Sequence, residues 1–168
     1  MAAQLFLLPA VVNSIAALSV NVFGLLDYVR LSKNTHTTEL HMLLEKSDIE
    51  ATIALVLKIT ADLSGSTSST GSTSSSGSTS STGSTSSTDR TSKYAHSFTY
   101  ILEKIREIIE EIKIELTDIH TKIEYNASLY VLANMRSYDC ALNLTKMETK
   151  IAVLEKRVSH LYQLLNLT

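Results

Sequence analysis

Residues 64–88 contain nothing but Gly, Ser and Thr, and Gly recurs at Gly65, Gly71, Gly77 and Gly83 with a strict period of six. No feature constrains the fold more. A run of 25 residues without one apolar side chain has nothing to bury, so nothing offsets the entropy of ordering it. It reads as a disordered Gly/Ser/Thr linker with a root-mean-square reach of about 25–30 Å. It divides the chain into residues 1–63, an N-terminal helical hairpin, and residues 89–168, a C-terminal helical hairpin. Without the linker, roughly 140 of the 168 residues remain, enough for one small core.

Both flanking parts carry helical periodicity, and neither carries a convincing strand. The first helix is expected over Leu8–Leu31, with Pro9 in its first turn, where the missing N–H costs nothing. A polar break follows at 32–35. The second helix is expected from Thr37 or Thr38 to Leu63. Within it, Ser47-Asp48-Ile49-Glu50 matches a capping box and predicts a kink or restart at Ser47. The third runs from about Lys93 to Lys122. Its apolar stripe is Phe98, Ile101, Ile105, Ile108, Ile112, Leu116, Ile119 and Ile123, with a stutter at Ile112–Leu116. The fourth is expected over Ala133–Leu165. The fold class is therefore all-α: a four-helix bundle or antiparallel helical hairpins.

The C-terminal helix carries the strongest association signal. Cys140, Leu144, Met147, Ile151, Leu154, Val158, Leu161 and Leu165 alternate in steps of four and three, a heptad coiled-coil pattern. Leu144, Ile151, Val158 and Leu165 take position a; Cys140, Met147, Leu154 and Leu161 take d. Lys150 at g and Glu155 at the following e have the spacing of an interchain salt bridge. Leu144, Met147, Ile151, Leu154, Val158, Leu161 and Leu165 are thus the candidate interaction seam. The same spacing serves an ordinary helix of an antiparallel bundle, and Tyr162 and Leu164 widen the apolar face in that direction.

The first 26 residues carry no charged side chain; Asp27 is the first. Residues 5–26 are long enough to cross a bilayer, although Asn13, Ser14, Ser19 and Asn21 weaken that reading. The lack of Lys or Arg near Met1 argues against a secretory signal. Ala10, Ser14, Ala17, Asn21 and Gly24 line one face with small residues, a candidate membrane or helix-packing face. Val11, Ile15, Leu18, Val22 and Leu25 form a bulky stripe beside them. A helix apolar nearly all round is either the buried centre of a bundle or a membrane segment.

The stretch Val11–Tyr28, VVNSIAALSVNVFGLLDY, followed by a polar break and another helix, resembles the N-terminal helical domains of fungal NLR-type proteins, HeLo-like cell-death domains among them. That resemblance covers less than half of the chain and implies an apolar first helix that attacks membranes. The apolar N-terminus ahead of helices, heptads and sequons is also similar to viral class I fusion subunits. Their cysteine loop has no counterpart here, since Cys140 stands alone.

Chemistry-bearing patterns are sparse. The five His residues are scattered, and no Glu-x-x-His pair occurs. His120 between Asp118 and Glu124 reads as a solvated face, and Glu107, Glu110 and Glu111 as an acidic one. Cys140 lies on the seam, as a packed thiol. Sequons stand at Asn126, Asn143 and Asn166. Net charge is −2 without a Lys/Arg run, which gives no footprint for nucleic acid. The expectation is a non-enzymatic interaction or oligomerisation module, with no cofactor, metal or small-molecule substrate. It would self-associate or bind a protein partner through its heptad helix. The alternative is a membrane-active protein whose first helix inserts in lipid. An intracellular location, membrane-associated in that second reading, is favoured over a secreted one.

Overall fold

The computed structural model describes residues 2–32, 38–65, 87–128 and 140–166. Among them every regular element is helical: α1 (Ala2–Leu31), α2 (Thr38–Ser47), α3 (Ile49–Gly65), α4 (Ser87–Ser128) and α5 (Ala141–Asn166). The chain is all-α. The expected linker lies outside the described residues, except that α3 and α4 reach into its two ends. The expected start of the fourth helix, 133–139, lies outside them too.

α1 begins at Ala2 rather than Leu8, so Pro9 sits inside the helix. Ala2, Ala3, Gln4 and Leu5 are strong helix formers, and they continue the helix past a proline that forgoes one backbone bond.

The second expected helix is two helices, broken at Asp48. Asp48 has φ 43°, the left-handed region, and its carbonyl accepts the Thr52 N–H at 3.1 Å. Ser47 does not form the expected capping box; its hydroxyl donates back to the Leu44 carbonyl at 3.4 Å. The break re-phases the buried stripe. Leu40 and Leu44 of α2 and Ile49, Ile53 and Val56 of α3 are all buried, although five residues separate Leu44 from Ile49. An unbroken helix would turn exposed Asp48 and Ala51 toward the core instead. Aspartate tolerates this backbone but glycine adopts it freely. Asp48→Gly is expected to stabilise the chain by about 0.5–1 kcal/mol, and Asp48→Val to cost about 1–2 kcal/mol, read as urea midpoints.

α4 is the spine. Leu102, Ile105, Ile109, Ile112, Leu116, Ile119 and Ile123 are buried in alternating steps of three and four. This seam differs from the expected stripe, because Leu102 and Ile109 are fully buried while Phe98 and Ile101 are only partly covered. With those two residues included, the repeat is regular and the stutter disappears. Ile108 is buried too, so α4 presents a face wide enough for two neighbours. Those neighbours are α1, its principal partner, and α5. α1 also packs on α3, and α5 touches α2 and α3. The residues before and after the Gly/Ser/Thr tract therefore share one core.

α5 runs antiparallel to α4. Asn143 near its start meets Asp118 and Lys122, and Lys150 meets Glu111 and Glu115. Where α1 meets α4, the Tyr28 and His120 rings lie 4.0 Å apart. The carbonyl of Val29 at the C-terminal end of α1 bonds a ring nitrogen of His41 in α2 at 3.1 Å and accepts the Ser32 hydroxyl at 2.7 Å. Arg30 pairs with Glu50 of α3 at 2.6 Å. These contacts tie the end of α1 to three other helices.

Candidate functional site

Two arrangements stand out: the outer face of α1, and a polar clasp between α4 and α5.

α1 buries Val11, Ile15, Ser19, Val22, Leu26 and Val29. The small-residue stripe points elsewhere: Ala10, Ala17, Asn21 and Gly24 are exposed and Ser14 is half-buried. Val20, 69% exposed, lies among them. A methyl group added at Gly24 would meet no atom within 4 Å, so this fold does not itself require the missing side chain. Two polar residues of α1 are turned onto its own backbone. Asn21 donates to the Ala17 carbonyl at 3.0 Å and Ser19 to the Ile15 carbonyl at 2.8 Å. Such back-bonding lowers the polarity that an apolar helix presents. The segment Leu8–Leu31 is long and apolar enough to cross a membrane, and 28% of its most apolar stretch is buried inside the bundle.

The heptad residues of α5 fill the core of their own chain. Met147, Ile151, Leu154, Val158 and Leu161 are buried, while Leu144 and Leu165 are partly buried against the same cluster. Cys140 is buried with them as a free thiol. Lys150 pairs within the chain, with Glu115 at 2.9 Å and Glu111 at 3.7 Å.

The clasp centres on Asn143, which is only 5% exposed. Its amide donates to Glu115 at 2.9 Å and to Asp118 at 2.8 Å, and its carbonyl oxygen accepts from Lys122 at 2.6 Å. Glu115 is nearly as buried and also receives Lys150. Burial by itself pushes the Glu115 carboxyl upward. The hydrogen bonds from Lys150 and Asn143, with the charges of Lys150 and Lys146, outweigh burial and hold it below its ordinary value. Hydrogen bonds from Lys122 and Asn143 likewise hold Asp118 low. The sequence did carry a signal for this group: acids at 111, 115 and 118 on one helix, Lys146 and Lys150 on the other, all three or four residues apart. What it lacked was the antiparallel register that matches them.

The remaining polar candidates are engaged in packing or pairing. His120 packs at a tilt against the Tyr28 ring and stands 3.7 Å from Glu124. Glu107 pairs with Lys104, and Glu110 with Arg106. Of the sequon asparagines, Asn126 and Asn143 are buried and Asn166 is exposed. Among the described residues, no group of three His, Cys, Asp or Glu side chains could hold a metal ion.

No protein-family model, curated protein or solved structure matches the chain.

Proposed function

We propose that the chain is a non-enzymatic interaction module, a helical bundle that docks against a second copy of itself along the outer face of α1. The observation that carries this reading is the uncharged strip Ala10–Ala17–Val20–Gly24, which the fold leaves uncovered. Apolar surface left in water favours association, and small residues let a second helix approach closely. In this reading the heptad of α5 acts from within: α2 and α3 close the bundle between α1 and α5, and α5 holds the spine on which α1 is mounted.

A second reading has its own support. A helix of membrane-spanning length that is only partly buried also suits a lipid surface.

One pair of variants tests both. Ala17→Glu and Val20→Lys change exposed positions, so the thermal midpoint of the full chain is expected to move by less than a few degrees. In sedimentation the wild type is expected to dimerise and both variants to remain monomeric. In flotation with neutral vesicles, recovery of the wild type but not of the variants supports the lipid reading. A wild type that neither dimerises nor floats removes both.

A further inference from the structure

Where the early turns of α4 lie against the last turns of α5, the helices leave an open cleft of 530 Å³. Its polar lining is His96, Ser97 and Tyr100 from α4 and Arg157, His160 and Gln163 from α5. Each of these side chains can donate a hydrogen bond, although His96 is already engaged elsewhere, and among the described residues no Asp or Glu lines the cleft. Ile101 and Leu164 supply an apolar floor. Arg157 makes no ion pair among the described residues, although acidic residues outnumber basic ones in the chain, 17 to 15. One turn further along α4, Lys104 stands 5.9 Å from the Tyr100 ring centre but is held by Glu107 at 2.6 Å. The cleft thus sets one guanidinium among hydrogen-bond donors in a chain of net charge −2.

We propose that this cleft binds a phosphate monoester, the phosphate taken by Arg157, His160 and the surrounding donors, and the carbon side of the ester lying on Ile101 and Leu164. The guanidinium fork matches two oxygens of a phosphate group in one plane. A third terminal oxygen remains for an imidazole, a hydroxyl or the Gln163 amide. A carboxylate, with two oxygens, would leave more of these donors unused. The inference is independent of α1, because the cleft is built from α4 and α5 alone.

Titration calorimetry on the full chain tests it, with phenyl phosphate, inorganic phosphate and benzoate as probes. Phenyl phosphate is expected to bind saturably at one site, more tightly than either of the others. Arg157→Gln is expected to weaken it about tenfold or more, since the lost bonds are charge-assisted. Arg157→Lys keeps the charge without the fork and is expected to fall between. Arg106→Gln, at a residue paired with Glu110, is expected to leave the affinity unchanged. Circular dichroism melts of each variant separate lost binding from lost folding. Flotation with phosphatidic acid vesicles, set against phosphatidylcholine alone, identifies the source. Capture that depends on both phosphatidic acid and Arg157 points to a lipid headgroup; binding of the soluble ester alone points to a free metabolite. Either result supports the phosphate chemistry. Absence of saturable binding to every phosphate probe, benzoate binding as tightly as phenyl phosphate, or unchanged affinity in a folded Arg157→Gln chain overturns it.

Discussion

Leu154→Ala is expected to lower the unfolding free energy of the full chain by about 3–4 kcal/mol, the largest loss of any single truncation in α5. Leu154 is fully buried on the seam. Lys150, one turn earlier, is pinned to Glu111 and Glu115, so Leu154 is held against the next turn of α4 toward its start. Truncation removes the transfer free energy of the side chain and leaves a cavity. Neighbours on two long helices cannot collapse into that cavity without moving the whole seam. Leu144→Ala is the comparison. Leu144 takes position a of the same heptad pattern but is only partly buried, so its truncation should cost about half as much. Urea unfolding followed by circular dichroism reads both, with unchanged m-values as the check on two-state behaviour. Equal costs at 144 and 154 would mean that α5 does not present to its own core the face described above.

Asn143→Leu is expected to cost about 2 kcal/mol near neutral pH and to make the stability less dependent on pH in acid. The substituted side chain roughly fits the space but cannot donate. Glu115 then keeps its burial and loses one of the bonds that offset it. The pH dependence follows from the direction of the shifts. Glu115 and Asp118 are held below their ordinary values of 4.5 and 3.8 in the folded chain. Their contribution to stability is therefore fully present above the unfolded values. It fades as pH falls through the folded ones, where the folded state no longer gains from keeping the carboxylates ionised. In the wild type the urea midpoint should hold steady down to about pH 5 and decline below it. In Asn143→Leu the folded Glu115 carboxyl rises toward its unfolded value, so less stability is left to lose and the decline below about pH 5 should be shallower than in the wild type. Adding Glu115→Leu to Asn143→Leu should recover much of the loss near neutral pH. An apolar pair needs no hydrogen bonds, and Lys150, 21% exposed, can extend its ammonium to water. A double-mutant cycle with no coupling between 115 and 143 would show that the clasp is two independent surface contacts.

The helices themselves were legible. Period-3.6 patterning located α1, α2–α3, α4 and α5, because a helix must present its apolar side chains on one side whatever it packs against. Finer phase was less so. In α4 the sequence offers Ile101, Leu102, Ile105, Ile108, Ile109 and Ile112 as apolar candidates, so more than one stripe can be drawn through them. Two neighbours, α1 and α5, decide that Leu102 and Ile109 are central while Ile101 is flanking. The break in α2–α3 was visible as a polar cluster. Its mechanism was not, because Ser47 and Asp48 can each end a helix, and only the phase of Ile49 and Ile53 toward the core selects the left-handed turn at Asp48.

Taken alone, the sequence determined that the chain is helical, that a run of 25 Gly, Ser and Thr residues interrupts its apolar patterning, and that its first 26 residues carry no charge. Those are consequences of composition and local spacing, which act within a turn or two of helix. Only the tertiary structure decided how the stripes are used. It buried the α5 heptad against α4 of the same chain, spent Lys150 on Glu115, joined Asn143 to two carboxylates, and left the small side of α1 in water. The reason is physical: amphipathic helices of one period fit many partners about equally well. The choice among them falls to long-range register and side-chain volume, which exist only once the helices have met.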